Sequence, residues 1–252
     1  MKELKSKVVI ITGASAGIGK AAALAAADAG ARLILADREE DAGIAVCAEA
    51  RARGAQAQFL KVDVANEADV ARMVDAALTA YGRLDGAFNN AAIASLGVPL
   101  VELTLELYER TQSINLRGVF LCMKYEIQAM VRTGGGAIVN TSSAAAISAI
   151  PNAAEYSAAK AGILGITRSA AFDYGPKGVR VNAILPGATR TAMVLNAAAK
   201  MPGLEKALAA RQPIGRLLEP EEVAAAALWL ISDAASAVTG VCMPVDGGMT
   251  LS

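Results

Sequence analysis

Tyr156 and Lys160 stand four residues apart in the run YSAAK, within a stretch whose pattern predicts one helix. Residues at i and i+4 share a helical face, so this phenol and this ammonium can point into one pocket. A tyrosine at its ordinary pKa of about 10 is a poor base at neutral pH. An ammonium beside it stabilises the phenolate, lowers that pKa and makes the hydroxyl a usable acid or base. The same spacing also describes a half-buried ring beside a solvated charge. The pair alone does not choose.

A second group of residues bears on phosphate chemistry. Thr12-Gly13-Ala14-Ser15-Ala16-Gly17-Ile18-Gly19 follows an apolar run and opens an alanine-rich helical stretch. That arrangement puts a glycine turn at a helix N-terminus, where free amides and the helix dipole favour a pyrophosphate. The glycine order is G-x-x-x-G-x-G rather than the commoner G-x-G-x-x-G, and an ordinary tight strand-to-helix turn has the same outline. The next apolar run ends in Asp37, twenty residues after Gly17. A carboxylate there can accept both hydrogens of an adenosine ribose diol and repels a ribose 2′-phosphate. NAD is therefore expected ahead of NADP. Arg38 follows directly, as a solvated residue or one that stacks on adenine.

The elements that must hold these groups alternate along the chain. Short apolar runs at 8–12, 32–36, 58–61, 84–89, 137–142, 180–184 and 241–245 read as strands. Their near-continuous apolar character is that of parallel strands covered on both faces. Helix-length stretches lie between them at 17–30, 39–53, 66–81, 104–132, 153–174 and 220–231. Asn66 with Asp69 reads as a capping arrangement, and Pro220 with Glu221 and Glu222 as a helix start. The expectation is an α/β, Rossmann-type doubly wound sheet of seven mostly parallel strands with helices on both faces. No linker or repeat divides residues 1–252, so one dinucleotide-binding catalytic domain is expected. The Pro- and Gly-punctuated stretch 188–215 reads as a substrate-binding lid.

Composition narrows the function classes. The chain is 54% hydrophobic and 19% charged, ample for a large core, and only 4% aromatic. Lys plus Arg equals Asp plus Glu at 24 each, so no basic stripe exists for nucleic acid. The neutral balance gives little protection against self-association. Histidine is absent, which excludes Ser-His-Asp and Cys-His machinery within the chain and argues against a metal site. Cys47, Cys122 and Cys242 are too scattered for a disulfide framework. The charged start MKELKSK runs straight into a strand, without a signal-peptide apolar region, and no apolar run is long enough to span a bilayer. A cytoplasmic protein, not membrane-bound, is expected.

Together these motifs resemble the short-chain dehydrogenase/reductase family, in its compact single-domain branch, from about residue 6 to residue 250. TGASAGIG resembles its cofactor loop, Tyr156-x-x-x-Lys160 its active-site pair, and Asp63-Val64 the element that meets adenine. Asn89-Asn90-Ala91-Ala92 resembles its NNAG element, with Ala92 in place of the glycine. The resemblance implies Asn115, in SINLRGVF, as the catalytic asparagine that holds a water linking Lys160 to solvent. It places the catalytic serine thirteen residues before the tyrosine, hence at Ser143, leaving Ser142 a structural hydroxyl. It further implies cofactor contacts from Pro186, Gly187, the backbone of Thr189 and the hydroxyl of Thr191.

The chemistry so implied is hydride transfer by a nicotinamide between a secondary alcohol and a ketone. Tyr156 is then the acid or base, Lys160 lowers its pKa and holds the nicotinamide ribose, and Ser143 donates to the substrate oxygen. Expected pocket walls are 94–96, 144–150, Glu155, 187–188 and the lid, with Ser95, Ala145, Ile150 and Met193 as named contacts. These small or aliphatic walls point to an uncharged, moderately apolar or cyclic substrate, and only Arg190 is placed to meet a carboxylate. Two other functions remain: a 3-oxoacyl-thioester (acyl-carrier-protein) reductase, and a non-catalytic NAD-binding sensor or scaffold. By resemblance the protein is a homo-oligomer, commonly a tetramer, joined through its last strand and the helices at 104–132 and 153–174.

Overall fold

The computed structural model of the chain describes residues 4–95 and 97–251. Residue 96, the end of one expected pocket wall, lies outside the described residues. Among them, seven strands form one sheet: β1 (Val8–Thr12), β2 (Arg32–Asp37), β3 (Ala57–Lys61), β4 (Gly86–Asn89), β5 (Gly136–Thr141), β6 (Val179–Pro186) and β7 (Cys242–Val245). The order is β3-β2-β1-β4-β5-β6-β7 and every neighbouring pair is parallel. The winding direction reverses between β1 and β4. Ligands of open α/β sheets bind outside the carboxyl ends of the strands at such a reversal. The glycine turn after Thr12 and the pair Asn89-Asn90 both lie there.

The connecting helices are α1 (Gly17–Asp28), α2 (Glu40–Ala52), α3 (Glu67–Tyr81), α4 (Leu105–Gln112), α5 (Gly118–Thr133), α6 (Ala154–Tyr174), α7 (Ala192–Lys200), α8 (Leu204–Ala210) and α9 (Pro220–Ile231). Strand residues alternate between two cores. Val9, Ile11, Leu33 and Leu35 pack with α1, α2 and α9, whereas Val8, Ile10, Ile34 and Ala36 pack with α3, α5 and α6. Both faces are therefore dry, which is why these strands read as unbroken apolar runs. The Asn66 side chain caps α3 by accepting from Ala68 and Asp69, and a reciprocal Glu219–Glu222 box with Pro220 starts α9.

The expected helix over 104–132 runs without a break from Leu105 to Thr133. Between α4 and α5 the segment Ser113–Arg117 is π-helical. Asn115 sits in this wider turn with its side chain clasped by the backbone of Ile93, accepting from its N–H at 2.8 Å and donating to its carbonyl at 2.9 Å. The clasp ties the turn to the loop after β4, and such a single π-helical turn occurs inside an otherwise continuous α-helix.

Candidate active site

At the end of β1 the Thr12 hydroxyl accepts from the N–H groups of Asn90 and Ala91, at 3.0 and 3.1 Å. The Asn90 amide donates back to the Thr12 and Gly13 carbonyls, each at 3.3 Å. These bonds fasten the glycine turn to β4. Gly13 has φ +66°, and a Cβ on it would stand 2.9 Å from the Ala91 Cα. A Cβ on Gly19 would strike the Gly13 carbonyl oxygen, so Gly19 serves close packing of α1 against its own turn. Helix α1 begins without a side-chain cap or an acidic first-turn residue, leaving its first amides open to an anion.

Asp37 is held in place before any ligand arrives. Its Oδ2 accepts from the Ser15 N–H at 2.9 Å and the Ser15 hydroxyl at 2.6 Å, and its Oδ1 from the Glu39 N–H at 3.1 Å. The glycine turn thus carries the residue that orients the carboxylate, a link that spacing alone did not reveal. Arg38 is exposed and lies 3.9 Å from Asp63, a surface pair of little energetic weight.

Across the sheet, Ser142 and Ser143 divide their duties. The Ser142 hydroxyl donates to the Lys160 carbonyl at 2.7 Å, a purely structural bond between β5 and α6. Ser143 accepts from the Ala145 N–H at 3.1 Å, capping a short 3₁₀ turn. Lys160 is 1% exposed, donates from Nζ to the Thr141 carbonyl at 2.9 Å, and lies 5.6 Å from the centre of the Tyr156 ring. Burial pulls its pKa down to about 7. Burial also raises the Tyr156 phenol above its ordinary value, and a hydrogen bond with Ser143 acts the other way. The expected lowering by Lys160 is not among the causes of this shift: its Nζ is turned to the Thr141 carbonyl, and loss of water outweighs the Ser143 hydrogen bond.

One cavity of about 630 Å³ joins these parts. Of the expected cofactor residues, Gly13, Ser15, Ala16, Gly17, Ile18, Asp37, Arg38, Asp63, Val64, Asn90, Ala91 and Ala92 line it. So do Pro186, Gly187, Thr189 and Thr191, together with Ser143, Tyr156 and Lys160. Thr191 approaches the glycine turn closely enough that a Cβ on Gly17 would be 3.0 Å from its methyl group. The Thr189 hydroxyl donates to the Gly187 carbonyl at 3.1 Å. Glu39, Val62, Ile93, Arg110, Ile114, Thr141 and Val194 also line the cavity, though no motif singled them out. Among the described residues no cluster suited to a metal ion is found.

Met193 lines the cavity, whereas Ser95, Ala145 and Ile150 are not among its lining residues. The Ser95 hydroxyl donates instead to the Asn152 carbonyl at 3.2 Å and to buried Glu155 at 3.0 Å. Arg190, the one cation expected to meet a carboxylate, is engaged by two: Glu205 at 2.7 Å and Glu219 at 3.2 Å. Buried Gln212 went unnoticed in the sequence, and its amide donates to the carbonyls of Ala188 and Arg216 at the base of the 188–215 segment.

Residues 13–250 match the family described as Enoyl-(Acyl carrier protein) reductase. The chain is 49% identical over 251 residues to a 2,5-dichloro-2,5-cyclohexadiene-1,4-diol dehydrogenase of Sphingobium indicum, covering 99% of both. It is 43% identical over 244 residues to a cis-4-hydroxycyclohexanecarboxylate dehydrogenase of Sinomonas cyclohexanicum, covering 97% of this chain and 96% of that one. The solved structure of a levodione reductase superposes with a TM-score of 0.94 at 38% identity, covering 99% of each chain. With a wholly parallel doubly wound sheet, a glycine turn at its reversal and the Tyr156–Lys160 pair in the adjoining cavity, this chain belongs to the short-chain dehydrogenase/reductase family.

Proposed function

We propose that this protein is an NAD-dependent oxidoreductase that interconverts an uncharged, moderately apolar cyclic secondary alcohol and its ketone. The observation that carries the reading is the single cavity lined both by Asp37 and by Ser143, Tyr156 and Lys160. The open amides at the start of α1 would hold the pyrophosphate, and Asp37 the adenosine ribose. When bound, the nicotinamide supplies the hydride acceptor or donor. The protein's part is to move one proton. As phenolate, Tyr156 takes it from the substrate hydroxyl in oxidation, and as phenol it returns it in reduction. Ser143 donates a hydrogen bond to the reacting oxygen, and the cationic form of Lys160 stabilises the phenolate. Asn115, in its π-helical turn, is the anchor proposed for a water that carries the proton outward. The segment 188–215 is the proposed lid.

Two features bear on the substrate. Two of the relatives named above act on six-membered rings according to their names, one on a neutral diol and one on a ring carboxylate. Arg190 already meets two carboxylates of the chain, so it is not free to meet a third. A panel of cyclohexanols, cyclic diols, carboxylated cyclohexanols and acyl thioesters, assayed with NAD and NADH, tests the reading. Highest kcat/KM on a neutral ring is expected. Preference for a thioester would give the alternative reductase, and cofactor binding without turnover on any compound would give the sensor.

The cofactor preference has its own test. Asp37→Ala removes an ionised acceptor whose hydrogen bonds are each worth about 1.5–3 kcal/mol, so NAD should bind roughly 10–100-fold more weakly. NADP should bind better than before, because the repelling charge is gone. An unchanged NAD/NADP ratio in steady-state kinetics would move the discrimination to another residue.

We further infer self-association through α5 and α6. A groove of about 510 Å³ runs between them, lined in part by Phe120, Ile127, Val131 and Tyr174. Phe120 on α5 is 51% exposed, and Phe172 on α6 is 86% exposed. Light scattering should give a tetramer, and Phe172→Glu with Phe120→Glu should reduce the mass. A monomeric wild type would exclude the assembly.

A further inference from the structure

Behind the cavity lies a polar cluster that the chemistry above does not use. Glu126 on α5 is fully buried, and Asn89, Asn140 and Thr167 around it are each 2% exposed or less. Asn89 and Asn140 are register partners on β4 and β5. The Asn89 Nδ2 donates to Glu126 Oε2 at 2.9 Å and to Asn140 Oδ1 at 3.0 Å. The Asn140 Nδ2 donates to Thr167 Oγ1 at 3.0 Å and to Met123 Sδ at 3.2 Å.

Two atoms of this cluster are left over. Asn89 Oδ1 and Glu126 Oε1 are buried and have no hydrogen-bond partner among the described residues. Both belong to the pair that already shares one hydrogen bond. An ionised carboxylate only accepts, and so does an amide oxygen, so neither atom can satisfy the other as a carboxylate. Turning the Asn89 amide round makes matters worse, because its oxygen would then face Glu126 Oε2 and Asn140 Oδ1. One proton resolves the mismatch: placed on Glu126 Oε1, it can be donated to Asn89 Oδ1.

We propose that Glu126 is a neutral carboxylic acid in the native protein, closing a two-hydrogen-bond ring with Asn89 that positions both halves of the active site. Asn89 directly precedes Asn90, whose amide holds the Thr12 and Gly13 carbonyls. Asn140 directly precedes Thr141, whose carbonyl takes the Lys160 ammonium. Thr167 lies two turns beyond Lys160 on the same face of α6. Through these neighbours the ring couples the glycine turn to the catalytic lysine. Its surroundings suit a neutral acid. Burial raises the Glu126 carboxyl from its ordinary range to about 8, opposed only by the Asn89 hydrogen bond. From β4, β5 and α6 the facing groups are Asn89, Asn140 and Thr167, none of which titrates. The ionisable neighbour is Cys122, one turn earlier on α5, whose thiol is itself pushed well up by burial.

The sign of the pH effect follows. Between about 4.5 and about 8 the folded protein holds this proton and the unfolded chain does not. The contribution is thus full below that window, falls as pH rises through it, and is gone above it. Relative to Glu126→Gln, which keeps both hydrogen bonds without titrating, the wild-type folding constant should drop about tenfold per pH unit across the window. Infrared difference spectra of wild type minus Glu126→Gln at neutral pH should show the carbonyl stretch of a protonated acid. A carboxylate band alone, or a wild-type/Gln stability ratio constant with pH, would overturn the proposal. As a positioning residue, Glu126 should show rescue: Glu126→Leu lowers kcat/KM and Glu126→Gln restores it. Should the leucine variant fail to fold, the infrared and pH comparisons still decide.

Discussion

Tyr156→Phe should lower kcat by about 10³-fold or more, the upper range of a general acid–base contribution, and leave cofactor affinity within a factor of about 2. The substitution deletes one oxygen and keeps the ring that Lys160 lies against at 5.6 Å, so the cavity wall survives. Binding of NADH, followed by its fluorescence, separates the two effects. The pH profile of the wild type adds a second check. Burial holds the phenol above its ordinary value, so the protonated form dominates at neutral pH in the unliganded enzyme. Oxidation needs the phenolate and should speed up as pH rises, whereas reduction needs the phenol and should slow. A variant retaining more than a few per cent of the wild-type kcat would remove Tyr156 from the proton step.

What the sequence disclosed depended on the range of the interaction. Residues 8–11 and 33–36 are apolar throughout because both faces of these strands are buried, and a local pattern carries that information completely. The same holds for Tyr156 and Lys160, which one helix places together. Residues joined across the sheet were harder. Asp37 was legible as an acid at a strand end, but its clamp by Ser15 spans 22 residues and leaves no local signature. Asn115 was found through its motif, while the π-helical turn that holds it was hidden, since its clasp on Ile93 spans 22 residues and leaves no local signature. Ser95, Ala145 and Ile150 were read as pocket contacts from size and place. Their surroundings depend on a turn at 147–153, where Asn152 takes the left-handed conformation with φ 54°. Glu126 shows the limit most plainly. No motif carries it, and only the assembled fold makes it a core residue.

Lys160→Met is the substitution expected to divide stability from catalysis most sharply. Methionine retains most of the lysine's apolar stem and cannot ionise. It should lower kcat by at least about 10²-fold, because the phenolate loses its cation in a low-dielectric site. The fold should respond in the opposite direction. Lys160 is buried with one hydrogen bond to a carbonyl, and burial depresses its pKa from 10.5 to about 7. Between those values the unfolded chain holds a proton that the folded protein has released. Wild-type stability therefore rises with pH across that window, by about 1.4 kcal/mol per unit from this one group. At neutral pH most of the penalty is in force, so the methionine variant should melt at a higher temperature than the unliganded wild type. The difference should shrink as pH approaches 10.5. Bound NAD should narrow it as well, because ribose hydroxyls would give the ammonium hydrogen-bond partners besides the Thr141 carbonyl. Calorimetry of both proteins, with and without NAD, measures each of these differences. A methionine variant that is less stable at neutral pH would mean that the ammonium is already compensated in the unliganded fold. The site would then be organised before the cofactor arrives, and Lys160 would not be the costly residue whose strain cofactor binding relieves.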